Sequence, residues 1–196
     1  MTPSSTTEAT DRRYSTAAMA LHWLIAAAIL TQIGLGWYFV ALPRGELREG
    51  LEKIHISIGV TVLLLTLVRI AWRLVNRPPP LSDHIKPAER RAAHAVHGLL
   101  YLLLLALPLT GWVMESVGKR PIPFWTISWP HFPGLASMLA GHDARSFKDS
   151  VEWTHGTPLV WTMVALVVLH VAGALKHQFD GSPVLWRMIP GLRPAR

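Results

Sequence analysis

The sequence contains no cysteine, which excludes disulfides, thiolate zinc sites, cysteine-held iron–sulfur clusters and covalent haem attachment through a C-x-x-C-H motif. Any prosthetic group must be held by other side chains. Charge is scarce too: Asp, Glu, Lys and Arg make up 16% of the 196 residues, against about 25% in soluble domains. Internal repeats and low-complexity tracts are missing as well, so nothing marks a second domain. What is present is apolar, with 51% hydrophobic residues and a mean hydropathy of +0.30. Ten histidines stand out in a chain that spends so little on polar side chains.

A bilayer core needs roughly 20 mainly apolar residues per helix. Four stretches qualify, at about 17–40, 54–75, 93–117 and 157–176, each bounded by charge or proline such as Arg77-Pro78-Pro79-Pro80. The predicted fold is an all-α membrane protein, a four-transmembrane-helix bundle forming one domain over 17–180, with tails at 1–16 and 181–196. Arg12-Arg13 ahead of the first stretch has the look of an export signal. The stretch is too long for a signal h-region and has no small-residue cleavage site after it, so a retained span is expected.

Lys and Arg divide unevenly across four spans, twelve on the side of the termini and seven on the other. The positive-inside rule then predicts cytoplasmic N- and C-termini in a multi-pass protein of the bacterial inner membrane. Counting acids as well, the cytoplasmic side carries the whole formal +7 and the outer side is neutral. The pI of about 10.4 therefore reports topology and calls for no nucleic-acid partner; membrane lipid is the expected surround. The connection after the third span, with Trp125, Trp129 and Phe132 among prolines, suits a segment capping the outer mouth at the membrane interface.

Ionisable residues inside a membrane point to function by default, and depth restricts how the histidines can pair. His22 lies near the cytoplasmic end of the first span and His55 near the outer end of the second. His155 and His170 lie at the outer and inner ends of the fourth. They are 15 residues apart, about 22 Å of rise and about 60° around the helix, so one helix offers two imidazoles to one interior at two depths. The level pairs are His55 with His155 and His22 with His170. Two pairs suit two b-type haems, each with bis-histidine ligation, better than zinc or copper, which want three or four convergent ligands. Gly59, Gly156 and Gly173 near these histidines would thin the helices where a porphyrin lies. The competing reading is a cofactor-free transporter or scaffold whose histidines merely hydrogen-bond between helices.

His97 and His177 sit toward the cytoplasmic side, placed to meet a small redox partner or a haem propionate; His94 has no assigned role. Arg69 and Arg73 could pair with propionates, or simply supply positive-inside charge. His84, His131 and His142 are expected in solvated loops.

The segments YSTAAMALHW (14–23), KIHISIG (53–59), AHAVHGLLYLLLLALPLTG (93–111) and LHVAGALKH (169–177) resemble the bacterial cytochrome b561 family, related to hydrogenase cytochrome b subunits. That resemblance implies a di-haem cytochrome with axial ligands at His22, His55, His155 and His170, and quinone contacts at His97 and His177. It further implies a superoxide:quinone oxidoreductase, passing electrons from periplasmic superoxide to ubiquinone, or alternatively an electron-transfer subunit serving a periplasmic dehydrogenase or hydrogenase. Here Thr154 separates Trp153 from His155, where the family often reads Trp-His. The neutral outer face offers no net charge to steer an anion such as superoxide; a periplasmic redox protein is the other expected donor.

Overall fold

The computed structural model describes residues 13–79, 85–118, 120–180 and 184–191. Residues 1–12 of the expected tail over 1–16, the expected solvated His84, and residues 181–183 and 192–196 of the expected C-terminal tail lie outside them. Four helices are long and apolar enough to cross a membrane. They are α1 (Thr16–Ala41), α2 (Glu46–Val75), α3 (Pro87–Ser116) and a last helix built in three pieces. The pieces are α5 (Ala144–Thr154), a π-helical turn (His155–Leu159) and α6 (Val160–Phe179). Between α3 and α5 lie a two-stranded hairpin, β1 (Ile122–Phe124) with β2 (Ile127–Trp129), and a single helical turn, α4 (Leu135–Met138).

The helices outrun the apolar stretches. α2 begins at Glu46 rather than near 54, because Glu46 and Glu49 in its first turn face the positive end of the helix dipole and favour an early start. The last helix begins at Ala144, where Asp143 caps it by accepting from the backbone N–H groups of Arg145 and Ser146. His55 and His155 consequently lie inside helices and not at their ends. The π turn at His155 has a local cause, since Pro158 within it has no N–H to return to Thr154 and its ring crowds the preceding turn.

α1 packs on α2, α2 on α3, and α3 on α6. The dry core is a small cluster contributed by all four: Ile25 and Ile29, Val62, Leu103, Met163 and Leu166. In chain order these follow His22, follow His55, and fall between His155 and His170. The core is therefore a mid-bundle layer that separates the two histidine levels. Outside it the helices present large apolar side chains, with Leu74 78% and Phe179 83% exposed, which only a lipid surround makes tolerable.

Each end is closed differently. At the end bearing the termini, Trp23 Nε1 donates to the Met188 carbonyl at 2.8 Å and the Tyr14 N–H to the Arg187 carbonyl, clasping the start of α1 to the chain after α6. At the opposite end the β hairpin lies on α2: Trp125 donates its backbone N–H to Ser57 Oγ at 3.0 Å and its indole N–H to Thr61 Oγ1 at 3.1 Å. Trp125 has φ 53° at the first turn position, a conformation that tight hairpins usually give to glycine. Those two hydrogen bonds offset the strain.

Candidate cofactor sites

The interior brings His22 to His170, ring centroids 6.1 Å apart, and His55 to His155, 6.3 Å apart. Both pairs are edge-on, within the 4.5–7 Å range of ordinary ring contacts. Two imidazoles joined directly by a hydrogen bond of about 2.9 Å would have centres about 5.2 Å apart. Both pairs stand farther apart than that, which leaves room for an atom between the rings, and each draws its members from two different helices.

The surroundings of the hairpin-end pair are apolar. His55 and His155 line one cavity of about 100 Å³, walled mainly by Ile, Val, Leu and Met side chains, Met163 among them. Ile122 of the hairpin, 2% exposed, closes one side. The glycines that make room for the imidazole rings are Gly36 and Gly111, which the sequence reading did not name. A Cβ on Gly36 would stand 3.4 Å from His55 Cε1, and a Cβ on Gly111 would stand 3.4 Å from His155 Cε1. Gly59 instead accommodates the Gln32 amide, whose nitrogen would be 3.3 Å from a Cβ there. That amide donates to the His55 carbonyl at 2.8 Å, tying α1 to α2 at this histidine. Gly156 and Gly173 face open space. Gly36 and Gly111 were missed because they neighbour the histidines in space and not in sequence; Gln32, an amide in mid-span, was a visible signal.

At the end bearing the termini a third histidine joins the pair. The His97 ring meets His170 edge-on, ring centroids 5.2 Å apart. His177 lies between two carboxylates, Nδ1 3.3 Å from Asp180 and Nε2 4.0 Å from Glu89, while Lys176 bridges the same two acids at 3.0 Å each. Among the described residues no hydrogen bond or ring contact joins His97 to His177. Each ring nitrogen of His177 faces a different acid, and the lysine already occupies the cationic position between them, so this cluster reads as an ionic tie between α3 and α6. Arg69 is committed to the Ala18 carbonyl at 2.7 Å and the Tyr101 hydroxyl at 3.1 Å, and Arg73 lies over the Tyr101 ring at 5.7 Å. These two arginines join α1, α2 and α3 beside the histidine cluster. His94, His131 and His142 are exposed.

One acid was overlooked by sequence. Glu115, at the end of α3, lines the hairpin-end cavity, and Glu52, Glu152 and Lys148 lie near enough to act on its charge.

Comparison with known proteins places these sites in a family. The family model for prokaryotic cytochrome b561 matches residues 13–191. The chain is 32% identical over 182 residues to cytochrome b561 homolog 2 of Escherichia coli K12, covering 92% of this chain and 93% of that one. It is 30% identical over 189 residues to a Yersinia pestis protein named probable superoxide oxidase CybB, covering 93% and 98%. A cytochrome b562 from Cereibacter sphaeroides is 34% identical over 112 residues, 54% of this chain and 68% of that one. With four membrane-length helices, an interior of paired imidazoles and a match along nearly its whole length, the chain belongs to the prokaryotic cytochrome b561 family, the b-type haem cytochromes that transfer electrons in the bacterial inner membrane.

Proposed function

We propose that this protein binds two b-type haems, one between His55 and His155 and one between His22 and His170, and carries single electrons across the membrane between them. The observation that carries the proposal is the pairing of imidazoles from different helices, ring centroids 6.3 and 6.1 Å apart, on opposite sides of one buried apolar core. Bound haem supplies reversible one-electron chemistry at iron. The chain supplies everything else. Its imidazoles fix the two levels, the core layer keeps water out between them, and the hairpin covers the cavity at one end.

With the termini cytoplasmic, the His55/His155 pair faces the periplasm and accepts electrons there, and the His22/His170 pair delivers them to ubiquinone beside His97, the histidine in contact with His170. Superoxide is the proposed donor, supported by the 30% identity to the Yersinia protein of that name. Two superoxide anions would give two electrons and leave as dioxygen; ubiquinone would take both electrons with two protons and leave as quinol. A second reading is favoured by one observation. Glu115 lines the periplasmic cavity with Glu52 and Glu152 nearby and, among the described residues acting on it, Lys148 as the one cation against them, an arrangement that repels small anions when the carboxylates are ionised. A periplasmic redox protein as donor avoids that cost, and the chain then acts as an electron-transfer subunit.

A reduced-minus-oxidised spectrum of the purified protein, with haem assayed against protein, tests the core proposal: two b-type haems per chain are expected. His155→Ala and His22→Ala should each leave one. A protein without haem bands would refute the proposal. Quinone reduction by superoxide with no partner protein separates the two donors.

A further inference from the structure

We propose that Thr110 is the positioning residue of the hairpin-end site, accepting a hydrogen bond from His155 Nδ1 and thereby fixing the tautomer that leaves Nε2 free for iron. This rests on the reading of His55 and His155 as a haem pair.

A threonine hydroxyl has one proton and two lone pairs. Thr110 Oγ1 lies 2.8 Å from the Ala106 carbonyl and 2.9 Å from the Leu107 carbonyl. Both are acceptors only, and the single hydroxyl proton can serve one of them, the usual back-bond of a helical threonine. Its third contact is His155 Nδ1 at 3.0 Å. With the proton so used, the oxygen turns a lone pair toward that nitrogen, and the proton of this contact belongs to Nδ1. The lone pair of the neutral ring is then on Nε2, which makes no hydrogen bond among the described residues, and the ring borders the cavity.

Threonines in apolar helices commonly bond back to the preceding turn, and by itself that would make Thr110 ordinary. Two neighbours argue otherwise. Gly111 leaves the space that the His155 ring edge occupies, so consecutive residues of α3 admit the ring and orient it. On the opposite side His55 Nδ1 is buried with no partner. The two ligands of one site are therefore unequal: a hydrogen bond from the far nitrogen strengthens a metal-bound imidazole as a donor, and only His155 has one among the described residues. Ferric iron gains more from a stronger donor than ferrous iron does. Thr110 should hold the potential of this haem down while leaving the other haem alone.

The test is potentiometry of the holoprotein, with the two haems assigned by the band lost in His155→Ala. In Thr110→Val the hairpin-end haem should lose about tenfold of its preference for ferric iron, a rise of about 59 mV for a one-electron couple. The His22/His170 haem should stay where it is, and Thr110→Ser should restore the wild-type value. Loss of the haem in Thr110→Val with retention in Thr110→Ser supports the same role. Thr110→Val with both haems present at unchanged potentials overturns it, as does loss of the haem from valine and serine variants alike, which marks a packing role. A wild-type protein lacking the hairpin-end haem would instead refute the haem-pair reading, a separate failure visible before any variant is made.

Discussion

Glycines 36 and 111 allow the ligand geometry to be tested by size. At either position the Cβ of alanine would come 3.4 Å from the imidazole Cε1, at the near edge of the 3.5–4.0 Å range of carbon–carbon contact. Alanine therefore asks the ring to yield by about a tenth or two of an ångström, within the roughly 0.2 Å tolerance of a metal–ligand bond. Valine is different. Its two methyls lie about 1.5 Å beyond Cβ and fill two of the three staggered positions, with one rotamer strongly preferred in a helix. A methyl turned toward the ring would have to displace it by several tenths of an ångström. Overpacking of this kind costs roughly 1–3 kcal/mol, which corresponds to about 5- to 150-fold in affinity for the haem. Haem-to-protein ratios of the purified variants are the assay. Gly36→Ala and Gly111→Ala should keep two haems; Gly36→Val and Gly111→Val should lose the hairpin-end haem and keep the other. Gly34→Ala, where nothing lies within 4 Å, is the control and should change nothing. Full retention of both haems in Gly111→Val would refute the placement of the His155 ring and the role of the glycine beside it.

Met163, 1% exposed in the mid-bundle core, should cost roughly 2–5 kcal/mol when cut to alanine, read as a lower Tm in detergent with the ligand histidines untouched. Thr61→Val removes the acceptor of the Trp125 indole; about 1 kcal/mol of hairpin docking is lost, and hydrogen exchange over residues 122–129 should accelerate while α1 stays protected. Glu115→Gln removes one negative charge from the cavity wall. If superoxide is the donor, haem reduction by superoxide should speed up several-fold at low ionic strength, and the gain should shrink as salt screens it; an unchanged rate at every salt concentration would indicate a different donor.

Sequence by itself determined the class of molecule. The shortage of charge and the four apolar stretches leave no soluble alternative, because a segment of that length and composition is stable only where lipid replaces water. The absence of cysteine limited haem to non-covalent binding. Histidine depths also follow from sequence, since a helix rises by a fixed amount per residue and a spanning helix has no freedom to change level. His22 with His170 and His55 with His155 could be matched in this way before any coordinates.

Tertiary structure decided what lies beside each ring. His97 of α3 came to the edge of the His170 ring, 5.2 Å between centroids, a contact between helices that spacing along either one does not give. Gly36, Thr110 and Gly111 were invisible as site residues because each sits on a helix other than that of the histidine it serves. Gly59, close to His55 in sequence, turned out to receive Gln32. Along one helix, spacing fixes height and rotation; the rotation of one helix against another depends on how all four pack around Ile25, Val62, Leu103 and Met163. That packing is a property of the whole bundle, and it selects which glycine opens space for an imidazole and which hydroxyl holds its proton.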